Sequence, residues 1–247
     1  GIGVVRQLVN VLGVGIDSVT MQQAVEIVDG FVRGSKPSLV ATANAEMVML
    51  AQQDQELFAI LNSAELVLAD GAGVVWAARR LAAGVPERVA GYDLTQELLK
   101  HAATAGYKVF WLGAAPGVAE TAAAKAAAKF PGLNTVGTHD GYFDCDDDKM
   151  RRIIRESQAD ILLCALGVPK QEKWLSQYRD ELGAKVLIGV GGTFDVMAGN
   201  VKRAPLWMQR AGLEWSYRLL RQPSRIVRMM ALPRFVARVM VAAWTSH

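Results

Sequence analysis

Asp70 is the residue best suited to proton chemistry. It stands in Leu66-Val67-Leu68-Ala69-Asp70-Gly71-Ala72-Gly73, directly after an apolar run and ahead of two glycines. A carboxylate there is held rigidly where a strand ends, and the glycines, Gly71 first, let a ligand approach the backbone. Such a group can take a proton from an attacking hydroxyl. The structural alternative is an N-cap for the next helix, a common role for Asp. Thr42-Ala43-Asn44-Ala45-Glu46 follows a second apolar run. Thr42 and Asn44 offer hydroxyl and amide groups to a sugar or base, and either could instead cap a helix. Gly113-Ala114-Ala115-Pro116-Gly117 presents backbone N–H groups at a helix start, a seat for phosphate, or else forms only a tight turn. In Gly167-Val168-Pro169-Lys170-Gln171-Glu172, Lys170 and Gln171 would point from a first helical turn into the same crevice. Pro169 is equally an ordinary helix-start residue. Gly189-Val190-Gly191-Gly192-Thr193-Phe194-Asp195 implies close backbone approach to a ligand at Gly191 and Gly192. Asp195 would be a cap or a sugar contact. Arg88, in a loop of small residues, can clamp a diphosphate through two parallel hydrogen bonds; otherwise it pairs with Glu87 on the surface.

The elements that must position these groups follow from periodicity. Strand-like runs cover Ser38–Ala43, Glu65–Ala69, Lys108–Gly113, Asn134–Gly137, Asp160–Gly167 and Lys185–Val190. Helical spacing covers Met21–Val32, Ala45–Asn62, Gly73–Ala82, Leu94–Ala105, Val118–Lys129, Asp147–Ser157 and Lys170–Leu182. Most of the strands are continuously apolar, as strands covered on both faces are. The alternation predicts an α/β fold: a Rossmann-like, mostly parallel sheet flanked by helices. Ligands bind such sheets where strands end and helices begin, which is where the unusual residues gather. The opening segment, Val4–Val19, reads as a hairpin turning around Gly13 to Asp17.

Charge divides the chain. From Lys202 onward there are nine Lys/Arg and one acid, Glu214, a net +8. The remainder holds 18 basic and 23 acidic residues, a net −5. We therefore expect a catalytic domain over 1–201 and a basic, aromatic-rich helical appendage over 202–247, drawn to a polyanion. Prolines 205, 223 and 233 divide the appendage into short helices. Arg218, Arg221, Arg225 and Arg228 share one helical face if Pro223 only kinks the run.

Other chemistry is not indicated. Cys145 and Cys164 form neither a disulfide framework nor a zinc motif, and Cys164 reads as a small buried hydrophobe suited to a reducing cytosol. No signal peptide and no spanning helix is expected. Asp144, Asp146, Asp147 and Asp148 precede a helix whose positive end favours them, so they are read as capping residues rather than a metal site. The three histidines are scattered. A dinucleotide-dependent oxidoreductase would need a G-x-G-x-x-G fingerprint, which is absent. A nucleic-acid-binding role would explain the tail but leave the strand-end cluster without purpose.

Seven stretches in order resemble the WecG/TagA/CpsF glycosyltransferases: TANAEMVMLAQQD, LADGAGVVWAARRL, ERVAGYDL, WLGAAPGVAE, GTHDGYF, ALGVPKQEKW and GVGGTFDVMAGNVKRAPLWMQRAGLEWSYRLLRQPSR. They cover roughly residues 12 to 234. The resemblance implies inverting sugar transfer without metal or other cofactor. The nearest branch is the TagA type, which moves N-acetylmannosamine from its UDP form to undecaprenyl-diphospho-N-acetylglucosamine; other branches use UDP-uronic sugars. Carried over by motif, Asp70 matches the base, Thr42 its polar neighbour, and Arg88 and Gln171 residues of the same pocket. Arg218, Arg225 and Arg228 match diphosphate contacts on an appendage that docks on the membrane. The expected partners are a UDP-sugar, an undecaprenyl-diphosphate-linked acceptor and an anionic membrane surface, with no nucleic acid. The expected location is the inner face of the cell membrane. Self-association through apolar surface under the tail is a further expectation. The stretch after Arg234 has no assigned role.

Overall fold

The computed structural model describes residues 5–246 of the chain. Val4, where the expected hairpin segment began, and His247, the last residue of the expected appendage, lie outside them. The elements run β1 (Leu8–Val11), β2 (Val14–Asp17), α1 (Met21–Val32), β3 (Ser38–Ala43), α2 (Ala45–Gln53), α3 (Gln55–Ser63), β4 (Leu66–Ala69), α4 (Ala72–Leu81) and α5 (Gly91–Ala105). They continue with β5 (Lys108–Gly113), α6 (Val118–Lys129), β6 (Asn134–His139), α7 (Lys149–Ser157), β7 (Ile161–Ala165), α8 (Lys170–Tyr178), β8 (Val186–Gly189) and α9 (Thr193–Ala198). The tail holds α10 (Leu206–Arg210), α11 (Glu214–Arg221), a 3-10 turn (Pro223–Arg225), α12 (Ile226–Met229) and α13 (Ala231–Thr245).

Six strands form one sheet in the order β4-β3-β8-β7-β5-β6, and every pairing in it is parallel. The expected α/β class with a parallel sheet is what the chain adopts. β4, β7 and β8 are buried along their whole length, because helices cover both faces. On one face lie α2, α3, α4, α7, α8 and the β1–β2 hairpin; on the other lie α1, α5, α6 and α9. Cys164 is buried within the first layer.

Three local readings need correction. The hairpin turns at Leu12-Gly13, both with positive φ, so Gly15 to Asp17 belong to β2 rather than to the turn. The helix expected over Ala45–Asn62 is two: Asp54 is extended (φ −112°, ψ 97°) and its side chain accepts from the Leu57 N–H, ending α2 and starting α3. Pro233 does not divide the tail. It falls in the first turn of α13, where a missing N–H breaks no intrahelical bond.

The crevice that matters arises from topology. β3 and β8 are neighbours, yet the helix after β3, α2, packs on one face while the helix after β8, α9, packs on the other. Adjacent carboxyl ends whose connections part in this way leave an open slot, the usual ligand position in such sheets. The tail arches over it. α13 anchors that arch by burying Phe235, Val239 and Ala243 against α2 and α4. Two fully buried side chains, Phe235 and Val239, contribute on the order of 1.5–3 kcal/mol each. This gives the stretch past Arg234 a structural role. Gly73 lies beneath this contact, where a Cβ would stand 3.4 Å from Leu232 Cδ1, an ordinary van der Waals distance.

Candidate active site

The slot holds two adjoining chambers. The larger, about 630 Å³, is walled by Thr42 and Asn44 after β3, by Gln171, by Gly189, Gly191, Gly192 and Asp195 after β8, and by Arg225 and Arg228 from the tail. The smaller, about 380 Å³, is walled by Gly71, Ala72, Trp76 and Arg88, and by Trp215, Met229, Leu232 and Val236 from the tail. Asp70, Asn44, Glu46, Gly91, Tyr92, Arg203, Arg218, Arg225 and Arg228 line both. Asp70 therefore lies on the wall that the two chambers share. The larger has polar, glycine-rich walls suited to a nucleotide sugar. The smaller is richer in apolar side chains.

Asp70 does not cap α4. The cap residue is Gly71 (φ +97°), which only glycine adopts readily, and no side-chain cap bond is made. The Asp70 carboxylate turns instead to the start of the fifteen-residue α5, where the Gly91 N–H donates to Oδ2 at 3.3 Å. A Cβ on Gly91 would stand 3.0 Å from Thr42 Oγ1 and 3.5 Å from Asp70 Oδ2. Glycine at 91 thus lets the helix approach, and Thr42 and Asp70 flank the same spot. A quarter of the Asp70 side chain stays exposed, and burial of the rest moves its carboxyl upward from the ordinary value. The charges of Arg88 and Arg218 and the Gly91 amide pull the other way, while Glu214 adds to the rise. A carboxylate moved upward by burial is a stronger proton acceptor, as a general base requires.

Arg88 is not paired with Glu87, whose carboxylate accepts from the Met21 N–H. Its Nη2 donates to Glu214 Oε2 at 2.8 Å, and its Nε stands 3.8 Å from Asp70 Oδ1. Arg203 bonds Glu214 (2.9 Å) and both oxygens of Asp93 (2.6 and 3.1 Å). Burial would raise the Glu214 carboxyl, but the bonds from Arg203 and Arg88 prevail and hold it at about 2. Glu214 was visible in the sequence as the one acid of a basic tail, and that singularity was the signal that could have marked it. Tyr92, Glu46 and Arg203 carried no comparable mark.

Gln171 lines the larger chamber, but its Oε1 is already used. It accepts from the Gly167 and Gly191 N–H groups, both at 3.1 Å, and so ties the loops after β7 and β8 together. Lys170 is exposed and does not share the crevice. Asn44 both lines the site and caps α2, its Oδ1 accepting from the Met47 N–H at 2.8 Å. Gly191 (φ +54°) and Gly192 leave open space where a Cβ would be.

Two expected contacts are not made. Gly113 lines neither chamber. A Cβ there would stand 2.4 Å from the Ala165 carbonyl oxygen, so the close approach that glycine allows is to β7, not to a ligand. Arg221 also stays out. Gln222 (φ −134°, ψ 80°) ends α11 and the chain re-enters through a 3-10 turn, which breaks the single arginine face. Arg221 lies over the Tyr217 ring, 5.4 Å from its centroid. Arg218, Arg225 and Arg228 remain in both chambers. Burial, then the neighbouring charges of Arg218 and Arg228, lowers the Arg225 pKa, as expected of cations crowded around a seat for an anion.

Among the described residues no group of three or more His, Cys, Asp or Glu side chains is placed to hold a metal ion. Asp144 and Asp147 accept from the backbone N–H groups of Asp146 and Lys149, local bonds ahead of α7.

The family model for the glycosyl transferase WecG/TagA/CpsF family matches residues 9–247. A Bacillus subtilis (strain 168) protein described as N-acetylglucosaminyldiphosphoundecaprenol N-acetyl-beta-D-mannosaminyltransferase is 37% identical over 203 residues, 82% of this chain and 79% of its own. A Staphylococcus aureus (strain MRSA252) protein of the same description is 35% identical over 233 residues, 94% of this chain and 91% of its own. A third, from Bacillus spizizenii, is 39% identical over 83% of this chain and 80% of its own. With strand-end chambers, a carboxylate between them and a match over nearly its whole length, the chain belongs to the WecG/TagA/CpsF family of glycosyl transferases.

Proposed function

We propose that the chain transfers N-acetylmannosamine from UDP-N-acetylmannosamine to undecaprenyl-diphospho-N-acetylglucosamine, with inversion, in linkage-unit synthesis for wall teichoic acid or a related surface polysaccharide. The descriptions of its relatives support that donor and acceptor. The observation that carries the reading is Asp70 on the wall common to both chambers. The nucleotide sugar occupies the larger chamber, against Gly191, Gly192, Asn44 and Asp195. The acceptor head group occupies the smaller, its lipid leaving past Leu232 and Val236. As the acceptor hydroxyl attacks the anomeric carbon, Asp70 takes its proton. The bond from that carbon to the UDP oxygen breaks on the opposite face, and the electron pair departs with UDP. Arg218, Arg225 and Arg228 stabilise the departing diphosphate, the task that preorganised charge performs at low dielectric.

No helix among the described residues is long and apolar enough to cross a membrane. The tail instead exposes Leu206, Trp207, Leu220, Val241 and Trp244 among the exposed Arg210, Arg221, Arg234 and Arg238. Apolar burial plus attraction to anionic lipid would hold such a surface on the inner leaflet. Lifting of α13 would bare the apolar faces of α2 and α4 and allow copies of the chain to associate. The test is a panel of UDP-sugars, N-acetylmannosamine and uronic sugars included, against a short-chain lipid-diphosphate-N-acetylglucosamine, read by UDP release. UDP-N-acetylmannosamine should be consumed fastest; preference for a uronic sugar would reassign the donor.

A further inference from the structure

Glu214 is the one acid among the nine basic residues of the tail, and it is 5% exposed. A buried carboxylate is costly unless it is paired. Three guanidinium groups surround this one: Arg88 at 2.8 Å, Arg203 at 2.9 Å and Arg218 at 3.8 Å. Through them a charge chain runs from Asp93 on α5 to Arg203, Glu214, Arg88 and Asp70 at the end of β4. The last link differs from the others. Arg88 Nε faces Asp70 Oδ1 at 3.8 Å and has no hydrogen-bond partner among the described residues. The arginine nearest the proposed base is thus engaged by the tail rather than by the base.

We propose that Glu214 is a positioning residue: by holding Arg88 from the tail side, it keeps that guanidinium off the Asp70 carboxylate and makes proton acceptance depend on tail docking. The inference rests on the reading of Asp70 as the base. Without Glu214, Arg88 can close the gap and form a bidentate pair with Asp70. An arginine at pairing distance lowers the proton affinity of a carboxylate by about 1–3 pH units. Other groups face Asp70 as well. The Gly91 amide from α5 and Arg218 from α11 lower it. Arg225, Arg228 and Arg203, with Glu46 from α2, line the same chambers. Of the charged groups named for Asp70, Glu214 is the one that raises its proton affinity. With the tail lifted, both the desolvation and the Glu214 tether go, and the base is quenched by Arg88. Docking restores both together.

The test is the pH dependence of turnover for Glu214→Gln in the full chain, with UDP-N-acetylmannosamine and a lipid-diphosphate-N-acetylglucosamine analogue. Catalysis needs ionised Asp70, so activity is lost as pH falls through its pKa. The acid limb of kcat should move down by about one pH unit. The plateau should fall by about fivefold, because a weaker base transfers the proton less readily. KM for the nucleotide sugar should stay within about twofold, since a change confined to proton transfer spares ground-state binding. Glu214→Asp, which keeps the charge but withdraws it, should move the limb the same way by less, and carries the test alone if the glutamine variant does not fold. A folded variant whose acid limb stays put or moves up would overturn the proposal. Asp70→Asn separates the two ideas. Loss of turnover there with an unmoved limb in the Glu214 variants sinks the role of Glu214 alone, whereas normal turnover of Asp70→Asn sinks the base itself.

Discussion

Glu214 Oε2 accepts a hydrogen bond from Arg88 Nη2 at 2.8 Å across 126 residues of chain. This bond joins the tail to the loop that shapes the active site. Neither chamber is complete without the tail, because Arg218, Arg225 and Arg228 line both.

Truncation before Lys202 should therefore lower kcat/KM by about a thousandfold or more, since several transition-state charges leave together. It should also release the protein from anionic vesicles. Cosedimentation and UDP release measure the two effects. Undiminished sedimentation of the truncated chain would refute docking through the tail.

Arg225→Gln should cost roughly a hundredfold in kcat with little change in fold stability. One preorganised donor to a developing anion is worth about that much, and Arg225 Nε has no hydrogen-bond partner among the described residues to lose. Steady-state kinetics and a thermal melt check both halves.

Chelation by EDTA should leave the rate intact, because in the proposed mechanism Arg218, Arg225 and Arg228, which line the larger chamber, stabilise the departing diphosphate. Collapse of the rate, restored by one divalent ion, would show that the reaction needs a metal, with the Asp-rich loop before α7 as its candidate seat.

The Glu172 carboxyl should make stability fall between mildly acidic and mildly basic pH. It is 1% exposed, neither oxygen makes a well-formed hydrogen bond among the described residues, and burial, outweighing the nearby Gln171 amide and its own backbone N–H, raises its pKa to about 8. The unfolded chain releases this proton near the ordinary carboxylate value, so its contribution is full below about pH 4.5 and is lost as pH rises toward about 8. Glu172→Gln should raise the melting temperature at pH 8.5 more than at pH 5. A tenfold difference in proton affinity between the folded and unfolded chain is worth about 1.4 kcal/mol, so an effect of a few kcal/mol is expected. Equal gains at the two pH values would contradict it.

Much of this architecture was legible in the residues because period and apolarity report it directly. β3, β5, α1 and α6 have the bounds their sequence predicts, since continuous apolar runs and three-to-four spacing leave little freedom. Asp70, Thr42, Asn44, Arg88 and Gln171 could be marked as site candidates because they stand in or beside the loops that follow such runs. Close approaches between distant segments were not legible. Gly113 looks like any phosphate-loop glycine until β7 is seen against it. Arg221 keeps helical spacing with Arg218 and Arg225, but the break at Gln222 turns it away. The burial of Glu214 depends on Arg203 and Arg88 arriving from separate elements, and local patterning carries no trace of such meetings.

The decisive comparison is turnover by Asp70→Asn beside its UDP binding by calorimetry. Asparagine keeps the shape and cannot accept the proton, so kcat should fall by about a hundredfold to ten-thousandfold while UDP binds as before. Turnover near that of the parent chain would refute the mechanism, because the group between the two chambers would then not be the one that receives the proton.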